Sequence, residues 1–173
     1  KGMMKSAIRD DDPVYVMENT TLYGNTGEVP DPADGDFLIP LGKADIKREG
    51  SDISLIAHGA SVLRCLEAAD ILANEHNIDA EVVDLRSIRP LDQDAIIESV
   101  KKTNRAVLVD ESKPFCGVSA QITTLIQEYA FDYLDAPVKR VCTIDAPAIY
   151  SPHVEQDQLP NAKRIVAQVL TIA

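Results

Sequence analysis

From Asp52 onward, short β-rich apolar runs alternate with amphipathic helical stretches, and this rhythm constrains the fold more than any other feature. ISLIAHG (53–59) reads as a buried strand closed by Gly. Ser61 to His76 carries apolar residues at 62, 63, 66, 69, 72 and 73, a helical spacing. AEVVDL (80–85), AVLVDE (106–111) and PVKRVCTI (137–144) read as further strands. Asp92 is placed to cap a helix over DQDAIIESVKK, and GVSAQITTLIQEYA (117–130) is the next helix. Pro160 is expected at the first turn of a last helix, NAKRIVAQVLTI. Each strand–helix pair spans roughly 30 residues, the length of a crossover between parallel strands. The expectation is an α/β domain of three layers, α/β/α, around a mostly parallel sheet.

The first 36 residues lack that rhythm. MMKSAIR (3–9) reads as a helix end stopped by Asp10-Asp11-Asp12-Pro13, because Pro cannot continue a helix. VYVME (14–18) has strand composition, and 19–36 is a Gly- and Pro-containing polar loop. FLIPLGKADIKREG (37–50) predicts one or two short strands. A complete domain is therefore expected at 37–173, with 1–36 as the tail and linker of an upstream unit. The chain opens on Lys1 inside a helical pattern, which suggests a piece of a longer protein.

Charge narrows the function classes. The net charge of −11 repels phosphate backbones and argues against a nucleic-acid partner. No apolar run approaches the roughly 18 residues of a membrane span. Cys65, Cys116 and Cys142 have no metal-ligand spacing and read as reduced, mostly buried thiols. The sequence has neither GxGxxG after a strand, nor a GxxxxGK[ST] loop, nor a GxSxG elbow. His58, His76 and His153 are far apart; His58 follows the first core strand, where a catalytic residue could sit, but a hydrogen-bonded structural histidine is the stronger reading. Glu111, Lys113 and Phe115 follow the third core strand, at the rim of a site or interface. DLRSIRPLD (84–92) packs Arg86, Arg89, Asp84 and Asp92 into one turn. It reads as a phosphate site, a catalytic site or a scaffold in which the arginines pair with carboxylates.

Several stretches, in order, carry a family resemblance: KSAIRDDDPV, ENTTLYG, GEVP, DFLIPLGKADIKREG, CLEAADIL, DLRSIRPLD, FCGVSAQI, LDAPVKRV and the closing P…AKRIV. Together they resemble the beta subunit of the thiamine-diphosphate-dependent first component of 2-oxoacid dehydrogenase complexes, most of all that of pyruvate dehydrogenase. The resemblance implies a transketolase C-terminal-domain-like fold with an antiparallel edge strand drawn from 37–49. In the intact enzyme it implies decarboxylation of pyruvate on thiamine diphosphate and acetyl transfer to a lipoyl group. Branched-chain 2-oxoacid and acetoin dehydrogenases are the alternatives, and an independent protein-interaction domain is another. The resemblance implies no thiamine diphosphate on this chain itself, and a bacterial cytoplasmic or mitochondrial-matrix location. It casts DLRSIRPLD as a scaffold and interface turn.

Partners and sites follow from the same resemblance. The implied partners are an alpha subunit, a second beta subunit and the basic peripheral-subunit-binding domain of the acyltransferase. KSAIRDDDP matches a stretch that holds a potassium ion, which implies the carbonyls of Ala7, Ile8 and Asp10 and the side chain of Asp12 as ligands. LDAP matches a segment whose aspartate holds the binding domain, which implies Asp135. The terminal carboxylate, at Ala173, is implied as a second contact, although VLTIA departs from the family pattern.

Overall fold

The computed structural model describes residues 1–31, 33 and 35–173, and only the backbone of 152 and 153. Pro32 and Asp34 of the expected linker and the His153 side chain lie outside the described residues. Five strands form one sheet: β1 (Asp45–Arg48), β2 (Ile53–Ala57), β3 (Ala80–Asp84), β4 (Ala106–Asp110) and β5 (Lys139–Cys142). Their order is β1-β3-β2-β4-β5. Only β1 runs antiparallel, pairing Asp45 with Asp84 and Ile46 with Val83. The other pairs are parallel, with Leu55 opposite Val82 on one side and Val107 on the other.

The helices are α1 (Gly2–Ile8), α2 (Ser61–His76), α3 (Gln93–Thr103), α4 (Val118–Tyr129), α5 (Pro152–Gln158) and α6 (Ala162–Val169). Alternate strand residues face opposite layers, as the pleat requires. Ile53, Leu55, Ala57, Val82, Val107 and Val109 pack with Leu72 of α2 and Ile165 of α6. Ile56, Val83 and Leu108 pack with Ile96 and Val100 of α3 and with Ile122 and Ile126 of α4. The result is the expected three-layer α/β/α sandwich with its antiparallel edge strand. Asn77 and Asn104, both left-handed, end α2 and α3, a conformation that Asn tolerates better than most residues.

Several local expectations are corrected. Residues 14–18 form no strand: among the described residues they pair with none of the five strands. Tyr15 and Met17 point almost wholly into solvent. The one or two short strands expected within 37–50 are met by one, β1. Leu63 lies outside the buried stripe of α2, which instead includes Cys65 and Ala68. The last helix is capped by Asn161, whose Oδ1 accepts from Arg164 N at 3.0 Å, so Pro160 precedes the helix. Pro152 instead opens α5, which the sequence pattern did not indicate.

One polar cluster sits inside the α3 layer. Glu81, on β3 and 1% exposed, accepts from Ser99 Oγ at 2.6 Å and from Lys102 Nζ. Ser54 Oγ lies 2.6 Å from Ser99 Oγ and 2.7 Å from Thr103 Oγ1. The buried carboxylate thus has a cation and a hydroxyl, which offsets its loss of water.

Candidate functional site

A parallel sheet has two chemically different ends. At the C-terminal end, β2 continues into His58 and β4 ends in Asp110. The chain crosses from β2 to β3 on one side, while β4 lies on the other. This reversal of strand order is where α/β sheets open a crevice. His58 Nε2 lies 3.6 Å from Asp110 Oδ1, beyond hydrogen-bond range, and is buried without a partner among the described residues. Asp110 also accepts Ser112 N at 2.9 Å, Ser112 Oγ at 2.6 Å and Ser119 N at 2.9 Å. Burial pushes the Asp110 carboxyl up, but His58, the Ser112 hydroxyl and the two backbone N–H groups together outweigh it and hold the group well below the carboxylate range. The space beside the pair is only about 10 Å³, at the lower limit for one water. The hydrogen bond expected of a structural histidine is thus missing at Nε2 among the described residues. Asp110, which the sequence reading did not single out, organises this end of the sheet. Its position as the last residue of a central strand was the available signal.

The loops around this end are tied together. Lys113 Nζ donates to Ile144 O at 2.7 Å and to Ala146 O. Asn19 Nδ2 donates to Glu111 Oε2 at 3.3 Å, which brings the 3-10 turn Thr20–Leu22 to this edge. Phe115 stands 83% exposed on the rim. The thiols are free and mostly buried as expected: Cys65 and Cys142 are buried, with burial pushing Cys65 far up, and Cys116 is exposed.

DLRSIRPLD proves to be a clamp on β1. Arg86 Nη2 donates to Asp45 Oδ2 at 2.5 Å, and Ser87 Oγ accepts from Gly42 N at 3.0 Å. Asp92 accepts from Ala44 N at 3.1 Å while capping α3 through Ala95 N at 3.4 Å. Arg86 reaches this geometry in the left-handed region, at φ 53°. Its N–H donates to Asp84 Oδ1, whose carboxyl burial nevertheless pushes up. The expected pairing thus holds for Arg86. For Arg89 it fails: this side chain is exposed, with no carboxylate partner among the described residues.

The N-terminal end of the strands gathers the other residues named from the sequence. Asp135 N donates to Asn104 O at 2.9 Å, which holds the LDAP turn beside the start of β4. Its carboxylate is 61% exposed and reaches only 3.8 Å from Arg105 Nη2. Arg164, at the start of α6, donates to Cys142 O at 2.6 Å, at the far end of β5. Running back from there, α6 brings Ala173 to the same end of the sheet as Asp135. Ala173 itself is exposed, and Ile172 and Ala136, neighbours of the two, join the same core cluster.

Ala7, Ile8, Asp10 and Asp12 follow one another around the end of α1 (Gly2–Ile8). Asp12 N turns to Asp10 Oδ1 at 3.0 Å instead of the Ile8 carbonyl, and no backbone N–H outside α1 reaches the Ala7, Ile8 or Asp10 oxygens among the described residues. This end of α1 lies apart from the sheet. Lys5 and Arg9 hold Asp36, whose carboxyl they bring down to about 2, and Ser6 Oγ donates to Ile39 O at 2.6 Å.

Comparison with known proteins agrees with this architecture. Residues 42–165 match the model of the transketolase C-terminal domain. The chain is 46% identical over 99% of its length to the beta subunit of an acetoin:2,6-dichlorophenolindophenol oxidoreductase from Bacillus subtilis, covering 49% of that protein. It is 46% identical over 98% of its length to a pyruvate dehydrogenase E1 beta subunit of Rickettsia felis, covering 51%. For the mitochondrial counterpart from Rattus norvegicus the figures are 48%, 96% and 46%. The chain thus spans about half the length of the curated relatives it matches. Among solved structures, a split-gene transketolase, an inactive beta4 tetramer, superposes with a TM-score of 0.71 at 27% identity, over 84% of this chain and 46% of that one. The chain belongs to the transketolase C-terminal domain family.

Proposed function

We propose that residues 37–173 are the assembly domain of the beta subunit of a pyruvate dehydrogenase first component, and that 1–36 is the tail of the preceding domain. The carrying observation is the match to pyruvate dehydrogenase beta subunits along nearly the whole chain. The intact enzyme, an alpha–beta complex with paired beta subunits, decarboxylates pyruvate on thiamine diphosphate and passes the acetyl group to the acyltransferase's lipoyl group. It works in a bacterial cytoplasm or a mitochondrial matrix.

In this reading the thiamine diphosphate is held elsewhere in the intact enzyme, and the role of this domain is contact. Among the described residues, a groove of about 730 Å³ at the C-terminal end sets Glu67, Glu111, Glu155 and Asp157 against Arg64 and Lys163, a balance that offers no cradle for a bare diphosphate. Exposed Asp135 and the carboxylate of Ala173, at one end of the sheet, are placed to hold the basic peripheral-subunit-binding domain of the acyltransferase. The net charge of −11 steers such a partner in.

The end of α1 fits a hard monovalent cation such as potassium. The carbonyls of Ala7 and Ile8 carry the negative end of the helix dipole, Asp10 offers a carbonyl just beyond the helix, and Asp12 adds a carboxylate. Anomalous scattering from crystals of the intact protein, measured at a potassium-sensitive wavelength, is expected to show a peak among these oxygens; featureless density removes the assignment.

The acetoin relative supports a second reading, acetoin cleavage by a sister complex. Turnover by the intact alpha–beta complex separates the two. Pyruvate-dependent reduction of an artificial acceptor is expected; acetoin turnover without pyruvate turnover would replace the assignment.

A further inference from the structure

The outer edge of β5 carries a feature that the assembly reading does not use. β5 is the last strand of the sheet, paired on one side only. The backbone groups of residues 139–141 have no partner other than β4 among the described residues. A groove of about 400 Å³ follows this edge from Val138 to Asp145. Pro114 and Ile144 line it, together with Arg164 and Gln168 of α6.

Its charge is opposite to that of the molecule. Lys139, Arg140 and Arg164 line the groove, and Asp145 is the one carboxylate there. In a chain with 28 Asp and Glu against 17 Lys and Arg, carboxylate partners are plentiful. Yet none of these three cations has a carboxylate within 4.0 Å among the described residues, while Arg48, Arg86 and Lys102 each do. Arg140 donates instead to Pro114 O at 2.8 Å, and Arg164 to the carbonyls of Cys142, Gln158 and Leu159. These bonds fix both guanidinium groups beside the strand. Because Val141 faces the α6 layer, Lys139 shares that side, and Arg140 takes the other.

We propose that the β5 edge docks an extended acidic segment of a partner protein, which adds a sixth strand and sets alternate carboxylates against Lys139 and Arg164 on one face and Arg140 on the other. Main-chain bonds supply affinity and the cations supply selection. A second copy of this chain is the wrong occupant, since pairing β5 with itself would oppose like charges. The idea goes beyond the acyltransferase contact and uses none of its residues.

The probe is a fluorescein-labelled, end-capped nonapeptide of three Glu-Glu-Val repeats, which carries carboxylates on both faces of an extended strand, titrated with the intact protein and followed by anisotropy. Saturable binding is expected at low salt. It should weaken at least tenfold in the doubly substituted Lys139→Ala, Arg140→Ala protein, whose net charge changes as much as in the control below, with folding checked by circular dichroism. Arg89→Glu, an exposed cation outside the groove, is the control for net charge and should change binding less than twofold. A peptide N-methylated at every second residue, which keeps its charge but cannot pair, should also lose at least tenfold. No saturable binding at low salt would overturn the proposal. So would a double variant no weaker than Arg89→Glu, or an N-methylated peptide that binds as well as the parent, which would leave only an anion-attracting patch.

Discussion

Ser119 N donates to Asp110 Oδ2 at 2.9 Å, so the last residue of β4 caps the helix that follows it. The N-cap position itself is Gly117, which has no side chain to offer. One carboxylate thereby joins a strand end, a loop and a helix start. Asp110→Asn keeps the shape but removes the charge and one acceptor. It should cost about 1–3 kcal/mol at neutral pH. The folded carboxyl is held below its ordinary value near 3.9, so the stabilisation is complete above that value and disappears as pH falls through the folded one. Urea denaturation should show wild type and variant well separated at pH 7 and converging below about pH 4.

Lys102 is the cation of the buried Glu81. Lys102→Ala leaves a 1%-exposed carboxylate with hydroxyl partners alone. A loss of about 1–3 kcal/mol is expected in chemical denaturation, because the carboxylate is buried while the lysine that meets it is partly screened by solvent. Glu49, which also touches Lys102 but faces solvent, should be replaceable by Ala with little change.

Arg86 pins β1 to the turn after β3. Arg86→Ala should destabilise the domain by about 1–2 kcal/mol through the lost charge-assisted bond. Hydrogen exchange should rise selectively at residues 45–48, because β1 is an edge strand with a single neighbour. Uniform protection loss across all strands would show that the clamp is not local.

A Cβ added at Gly50 would stand 2.3 Å from Ala80 C and from Glu81 N. Backbone cannot swing away as a side chain can. Gly50→Ala is therefore expected to cost about 1–3 kcal/mol or more, read as a lowered thermal midpoint.

Asp135 has only a distant cation, Arg105, so its removal should leave folding intact. Asp135→Ala is expected to weaken binding of the cognate peripheral-subunit-binding domain by about 1–3 kcal/mol in calorimetry, with a smaller effect at high salt. Unchanged affinity at both salt levels would move the contact elsewhere on the domain.

The sequence by itself determined the layered fold. Short continuous apolar runs and period-3.6 helices are local patterns, and their alternation leaves few ways to bury both faces of a sheet. It also determined the capping by Asp92, because a cap acts within three residues of itself. Pro160 misled, since Pro before a helix and Pro within its first turn look alike in one dimension. VYVME misled for a deeper reason: strand composition states a preference, but a strand exists only beside a partner, and none of the described residues supplies one there. Tertiary structure alone decided the sites. Asp110 meets Ser119 across nine residues, Arg86 meets Asp45 across 41, and Lys102 meets Glu81 across 21. The clearance beside His58, the exposure of Asp135 and the basic edge of β5 likewise depend on which strands became neighbours. Charge and hydrogen-bonding capacity are written in each residue, but whether they are used inside the fold or offered to a partner depends on distances that only the assembled sheet sets.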